Sequence, residues 1–398
     1  MNKWSRNQIC TVFAAVSSWG LDAFDFFLLI FVIDDIARSF SVSNKEVALA
    51  IFLTLACRPI GAIFIGKMAE KYGRKPVLMA NVATFSILSG LSAFAPTLFI
   101  FLAIRCAYGV AMGGIWGVAS ALAFETIPPK TKGFISGLFQ AGYPLGYLSA
   151  SVIYGLFFDY IRWQDLFLIG TLPIFLVAFI YFFVEESSVW QEAKNEKKEN
   201  LPIIPVIIKN WPVCIYAIIL MTCFNFFSHG TQDVYPLFLK DQHHFTTHTV
   251  SIIAILYNIA SIIGGVSFGT LSQKIGRPQA MTLAAFFALC AVPLWAFSSS
   301  VVLIGLGAFI MQLMVQGAWG IIPIYLTELM PKHTRAVLPG VAYQLGNLLA
   351  SINLPLQIYI AESYHGDYSI SLASVASITA ICIMLLMVFN IKKTSSTI

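Results

Sequence analysis

The chain has 398 residues, 58% hydrophobic and only 11% charged, with a formal net charge of +5 and a mean hydropathy of +0.80. A soluble domain carries about twice that charged fraction, so composition excludes a water-soluble globule. The small basic excess sorts by loop, as shown below, and does not point to nucleic acid as a partner.

Apolar runs of about 20 residues recur from end to end, the length a helix needs to cross the hydrocarbon of a bilayer. The alternating segments of about 10 residues that mark membrane strands do not occur. Twelve spans are predicted, at about 10–33, 47–68, 76–95, 98–124, 134–158, 164–184, 210–236, 248–272, 279–298, 301–326, 337–360 and 370–391. The first runs past Asp22 and Asp25 with no small-residue cleavage site after it, so it reads as a retained span and not a signal peptide. The second contains Arg58 and the fourth Arg105, both charges at membrane depth. The polar interval 185–209, with a Glu/Lys/Asn run over 192–200, reads as a solvated cytoplasmic linker between an amino-terminal half, 1–184, and a carboxy-terminal half, 210–398. The expected fold is an all-α membrane protein of twelve transmembrane helices in two six-helix halves. The seven cysteines form no Cys-x-x-Cys pair and read as packing residues, neither disulfides nor metal ligands. No metal or cofactor is implied, and no nucleophile–base cluster suggests an enzyme.

With the N-terminus inside, the cytoplasmic loops collect Lys3, Arg6, Lys67, Lys71, Arg74, Lys75, Lys130, Lys132, Lys194, Lys197, Lys198, Lys209, Lys274, Arg277, Lys332, Arg335, Lys392 and Lys393. Only Arg38, Lys45, Arg162 and Lys240 fall on the other side. The positive-inside rule therefore places both termini in the cytoplasm of a multi-pass protein in the cell membrane.

The two halves repeat at an offset of about 203 residues. The segment Gly66–Lys75, containing Glu70, Gly73 and Arg74, is echoed by Gly269–Arg277. Trp116 with Glu125 and Pro128 is echoed by Trp319 with Glu328 and Pro331, and Gln140 with Gly142 by Gln344 with Gly346. Parallel repeats of six helices around a midplane site are an architecture of alternating access.

At these residues the chain resembles the major facilitator superfamily. Residues 66–75 follow its loop motif between the second and third helices, Arg105-x-x-x-Gly109-x-x-x-Gly113 resembles its fourth-helix motif, and Glu185-Glu186-Ser187-Ser188-Val189-Trp190 resembles the signature after its sixth helix. Asp22-Ala23-Phe24-Asp25-Phe26 and Arg58-Pro59-Ile60-Gly61-Ala62 look like the sialate:proton symporter group. The stretch Asn225–Leu237 resembles the seventh-helix signature of its Jen-type branch, which carries lactate, pyruvate and related acids. Asn225, Ser228, His229, Thr231, Gln232 and Asp233 fit, while Leu237 replaces the final Thr. The resemblance implies a proton-coupled symporter of small monocarboxylates, acting as a monomer, with sialic acid or a dicarboxylate as alternative cargo. Drug efflux is a weaker alternative, because Gly142-Tyr143-Pro144-Leu145-Gly146-Tyr147 breaks the exporters' fifth-helix motif.

On a helix Asn225, Ser228, His229 and Gln232 fall at i, i+3, i+4 and i+7, with Asp233 beside them, a polar stripe that must face protein or water. Asn225 and Ser228 alone fit a helix-packing seam as well as a site, but the ionisable His229 and Asp233 on the same face favour binding or proton handling. Depth allows the pairings Asp22–Arg58 and Asp25–Arg105, as static staples or as a proton switch. By resemblance to the superfamily's proton-coupled sugar carriers, Asp25 is favoured as proton site and Arg105 as its modulator, with Asp22 and His229 as rivals. Arg58 is the expected fork for the carboxylate. Trp116, Phe139, Gln140, Tyr143, Trp319, Gln344 and Asn347 are further expected substrate contacts. Gly66, Glu70, Gly73, Arg74, Glu125, Gly269, Arg277 and Glu328 are expected to form a cytoplasmic gate.

Overall fold

The computed structural model describes residues 4–157, 160, 162–195, 205, 208–331 and 334–395. Lys3, Lys332 and residues 196–200 of the linker, with Lys197 and Lys198, lie outside the described residues.

All regular structure among the described residues is helical. In chain order the helices are α1 (Arg6–Phe31), α2 (Ile33–Phe40), α3 (Asn44–Tyr72), α4 (Arg74–Ala93), α5 (Leu98–Thr126), α6 (Lys132–Phe157), α7 (Trp163–Ile169), α8 (Ile174–Phe183) and α9 (Ser188–Asn195). They continue as α10 (Trp211–Gly230), α11 (Thr247–Ile275), α12 (Arg277–Ala296), α13 (Val301–Trp319), α14 (Ile322–Leu329), α15 (Leu338–Ala350), α16 (Asn353–Ser363) and α17 (Tyr368–Ser395). Single helical turns occupy Pro129–Thr131, a 3-10 turn, and Tyr235–Leu237, which runs on into a π-helical turn at Phe238–Gln242. Capping fixes several starts. Ser5 and Gln8 exchange backbone and side-chain hydrogen bonds at α1, Ser43 and Glu46 do so at α3, and the Thr97 hydroxyl accepts the Ile100 N–H at α5. The sharp corner between α3 and α4 stands on Gly73 at φ +111°, and its repeat partner Gly276 turns α11 into α12 at φ +96°. Both are conformations that glycine adopts without a side-chain clash.

Among the described residues, ten segments are long and apolar enough to cross a bilayer. The two predicted spans that fall short, 134–158 and 337–360, are repeat partners rich in Gln, Gly, Ser and Asn. The second is also divided, into α15 and α16. The predicted span 210–236 is interrupted as well: α10 stops at Gly230, and Gln232 and Asp233 lie on a turn. The Thr231 hydroxyl donates back to the Phe227 and Ser228 carbonyls, and Pro236 offers no N–H to carry the helix on.

The chain resolves into two compact units. The first holds 1–128, 142–214 and 327–344; the second holds 129–141, 215–326 and 345–398. Each unit therefore contains a segment from the other end of the sequence. In the first, Glu70 Oε1 accepts the Ala336 N–H at 3.1 Å. In the second, Gln273 Oε1 accepts the Gly133 N–H at 2.7 Å. Donors and acceptors are both 203 residues apart, so one hydrogen bond is built twice. The apolar core of the first unit includes Leu28, Leu29, Ile36, Phe101, Trp163 and Phe167, gathered from α1, α2, α5 and α7.

Candidate functional site

Trp19, Asp22 and Asp25 follow one another at intervals of three on α1 and are all fully buried. Arg105 on α5, also fully buried, reaches Asp25 with an Nη1–Oδ2 distance of 3.0 Å. Its Nε and Nη2 donate to the Ser92 hydroxyl at 3.1 and 2.7 Å, and its guanidinium lies 4.5 Å from the Tyr108 ring centroid. The other Asp25 oxygen accepts from the Ser89 hydroxyl. Every oxygen of the acid and every nitrogen of the fork in this cluster has a partner, so the expected Asp25–Arg105 pair is a saturated network. Ser89 and Ser92, which complete it, escaped the sequence reading. Their signal is the spacing Ser86-x-x-Ser89-x-x-Ser92, three buried hydroxyls along α4.

Arg58 and Asp22 differ. Arg58, on α3, is 2% exposed, and its Nε and Nη2 have no hydrogen-bond partner. Asp22 accepts from the Tyr108 hydroxyl at Oδ1, 3.4 Å, and through its own carbonyl, 3.1 Å, but Oδ2 is unpartnered. The two residues act on one another electrostatically without closing the direct ion pair expected from depth. The guanidinium instead lies over the ring of Tyr343, 5.6 Å from its centroid. Tyr343 packs on Trp116 at 5.1 Å and edge-on to Trp19 at 6.2 Å, while Trp19 stacks on Tyr143 at 5.3 Å. Trp116 and Tyr143 were expected here. Tyr343 was not, because one more aromatic in a chain that is 14% aromatic gives no contrast. Its neighbour Gln344 is buried with both amide atoms unpartnered. A cavity of about 440 Å³ lies behind the opposite face of α1, lined by Phe13, Ser17, Gly20, Phe24 and Leu145 among others; it includes none of the expected site residues.

In the second unit the polar stripe of α10 is largely joined to α13. Gln232 Nε2 donates to Ser228 Oγ at 3.2 Å and to Gln312 Oε1 at 3.1 Å, Gln312 Nε2 donates to Thr231 Oγ1 at 2.9 Å, and Gln316 Nε2 donates to Ser228 Oγ at 3.1 Å. Trp319 donates to the Phe224 carbonyl and Asn225 to the Met221 carbonyl one turn back. His229 and Asp233, both partly exposed, meet at 3.2 Å. Phe139, Gln140 and Asn347 are buried in the same unit.

The loop motif 66–75 of the first unit is a charge cluster. Arg74 pairs with Glu70 at 2.9 Å and Glu125 at 3.3 Å, Glu125 accepts from the Ser187 hydroxyl, and the Trp190 indole donates to the Glu70 carbonyl. Glu186 accepts the Arg74 and Lys75 N–H groups at the start of α4, an anion at a helix N-terminus. Burial pushes its carboxyl above the ordinary value, and these backbone donors oppose that rise. Gly66 lies against the Ala336 backbone. In the second unit Gly269 lies against Gly133 and Arg277 donates to Ser272 at 2.7 Å, with no repeat of Glu70 because Gln273 stands there. Glu328 is exposed.

Residues 16–355 match the Major Facilitator Superfamily, and the chain belongs to it as a multi-pass helical membrane protein. It is 29% identical over 378 residues to a carboxylic acid transporter protein homolog of Saccharomyces cerevisiae, covering 88% of this chain and 61% of that one, so it spans less than two thirds of that relative. It is 28% identical over 371 residues to the sialic acid transporter NanX of Escherichia coli, covering 92% and 90% of the two chains. It is 24% identical over 340 residues to a cis,cis-muconate transport protein of Acinetobacter baylyi, covering 83% and 82%. Among solved structures, the proton:xylose symporter XylE bound to 6-bromo-6-deoxy-D-glucose superposes with a TM-score of 0.79 over 96% of this chain and 95% of that one, at 14% identity, a likeness of fold alone.

Proposed function

We propose that the protein is a secondary active transporter that carries a small organic monocarboxylate, of the lactate or pyruvate kind, together with a proton by alternating access. The observation that carries this reading is the unpartnered edge of Arg58. Nε and Nη2 are the two nitrogens whose N–H groups point the same way in the guanidinium plane, the side-on fork that a carboxylate accepts as two parallel hydrogen bonds. Leaving two donors of a buried cation unpaired costs about 1–3 kcal/mol each, a deficit that an anionic ligand offsets. The names of the yeast, Escherichia coli and Acinetobacter relatives, all transporters of acids, support a carboxylate as cargo.

Proton coupling belongs with the aspartates of α1. Both Asp25 oxygens are engaged and its charge is matched by Arg105, whereas Asp22 retains a bare oxygen beside the same Tyr108. That contrast favours Asp22 over Asp25 as the group that takes up and releases the proton, with Arg105 and Asp25 as the fixed frame. A monovalent anion moving with one proton makes the cycle electroneutral. Ser228, His229, Gln232, Asn225 and Asp233 are assigned to substrate contact by the resemblance, and Trp319, Phe139, Gln140, Gln344 and Asn347 by their place on polar and aromatic helical stripes, Gln140 and Gln344 being repeat partners. The Glu70–Arg74–Glu125 cluster is assigned to conformational bias as a cytoplasmic gate. The functional unit is taken to be a monomer in the cell membrane.

Uptake of labelled lactate, pyruvate and sialate into proteoliposomes tests the reading. Uptake should rise as external pH falls and stop with a protonophore. Arg58→Lys keeps the charge and loses the fork, so half-saturation should move to roughly tenfold or higher concentration. Wild-type affinity in that variant would remove Arg58 from the site, and accumulation of sialate without lactate or pyruvate would replace the cargo.

A further inference from the structure

We infer that Tyr343 is a specificity-determining residue of the Arg58 site, selecting acids whose carboxylate is conjugated into a flat body over acids that pucker at the α-carbon. The inference rests on the carboxylate-binding reading of Arg58 and names the class of acid that reading leaves open.

Placement comes first. Tyr343 enters the first unit on the segment 327–344, which is pinned at its start by the Ala336–Glu70 hydrogen bond. One turn further on, Gly340 lies against Gly117, close enough that a side chain on Gly117 would meet the Ala336 carbonyl. Trp116, the residue before Gly117 on α5, and Tyr343, three residues after Gly340 on α15, meet ring against ring at 5.1 Å beside that contact of small residues. Trp19 closes the edge of Tyr343 at 6.2 Å, and Arg58 lies over the ring at 5.6 Å. Trp19, Trp116 and Tyr343 are all buried, so this aromatic wall is an interior feature and not a membrane-interface belt.

Geometry then sets the selection. A carboxylate gripped side-on by Nε and Nη2 lies in the guanidinium plane. In a conjugated acid the rest of the molecule prolongs that plane and can lie against rings that already accept the flat guanidinium. In an acid with a tetrahedral α-carbon, atoms stand above and below the plane and meet the rings edge-first. A polyhydroxylated acid also needs a hydrogen-bond partner for each hydroxyl, and ring faces supply none. The contrast between two otherwise matched acids should be about the size of an aromatic pair contact, roughly three- to tenfold in affinity.

Two pairs of unlabelled acids matched in size and charge test it, as competitors of labelled pyruvate uptake: benzoate against cyclohexanecarboxylate, and pyruvate against lactate. The readout is the ratio of inhibition constants within each pair, which is insensitive to how much active transporter a preparation contains. The wild-type protein should favour the flat member, Tyr343→Phe should keep that preference, and Tyr343→Leu should bring the ratio to about one. The same ratios read from ligand-induced thermal shifts of purified protein cover a variant that binds but does not transport. If pyruvate and lactate compete but neither pair shows a preference for the flat acid, or if the preference survives Tyr343→Leu, the inference falls and the Arg58 reading stands. If no carboxylate competes or shifts the melting temperature, both fall together.

Discussion

Arg58 and Arg105 are the same side chain on two packed helices, yet one fork is fully engaged and the other is bare. The difference lies in neighbours of modest chemistry: two serines of α4 complete the Arg105 network, and an aromatic ring faces Arg58. The aspartates divide in the same way, which separates their variants. Asp25→Asn leaves Arg105 as a buried charge without its counter-ion, a loss on the order of 3–5 kcal/mol. It should lower the melting temperature sharply. Asp22→Asn removes no closed ion pair, so the melting temperature should hold while proton-driven accumulation is lost and counterflow exchange persists. Accumulation retained in Asp22→Asn, measured under an imposed proton gradient, would return the coupling role to Asp25. The charges themselves were visible as ionisable residues at membrane depth. Their partners were not, since depth along one helix says nothing about which side chain of another helix lies within 3 Å.

At the scale of the element, α3 and α5 approach so closely that a side chain on Gly109 or Gly113 would strike the backbone of Thr54 or Arg58. Small residues are how membrane helices achieve such contact. The glycines of the Arg105-x-x-x-Gly109-x-x-x-Gly113 motif are thus the floor on which Arg58 is positioned. The approach also brings the Cys57 and Cys106 thiols to 2.8 Å, although neither residue stood out in the sequence beyond packing. Copper–phenanthroline oxidation should therefore link the peptides containing Cys57 and Cys106, detected by mass spectrometry, while the exposed Cys290 remains open to maleimide. Absence of that linked pair would contradict the α3–α5 packing. The polar stripe of α10 was legible as a period-of-four pattern, but its end was not. Gly230 and the back-bonding Thr231 break the helix before Gln232, and the amide groups of α13 bond to what remains.

For the whole molecule, the strongest regularity is the offset of about 203 residues, which recurs as matched corners at Gly73 and Gly276 and as the twin bonds Glu70–Ala336 and Gln273–Gly133. An even number of crossings and the bias of Lys and Arg lead us to expect both termini on the cytoplasmic face. Reporter fusions at the N- and C-termini should both read as cytoplasmic; opposite readings would remove one predicted span. The sequence by itself determined the membrane class, the helical architecture, the internal repeat and the identity of the buried charges. These follow from apolar run length, period and the rarity of ionisable residues in hydrocarbon, which are properties of a single strand of chain. Only the tertiary structure decided that Asp25 and not Asp22 closes an ion pair, that Tyr343 faces Arg58, and that residues 129–141 and 327–344 each join the unit remote from them in sequence. Those outcomes depend on separations of a few ångströms between helices, set by where glycine replaces a side chain, and no one-dimensional pattern contains them.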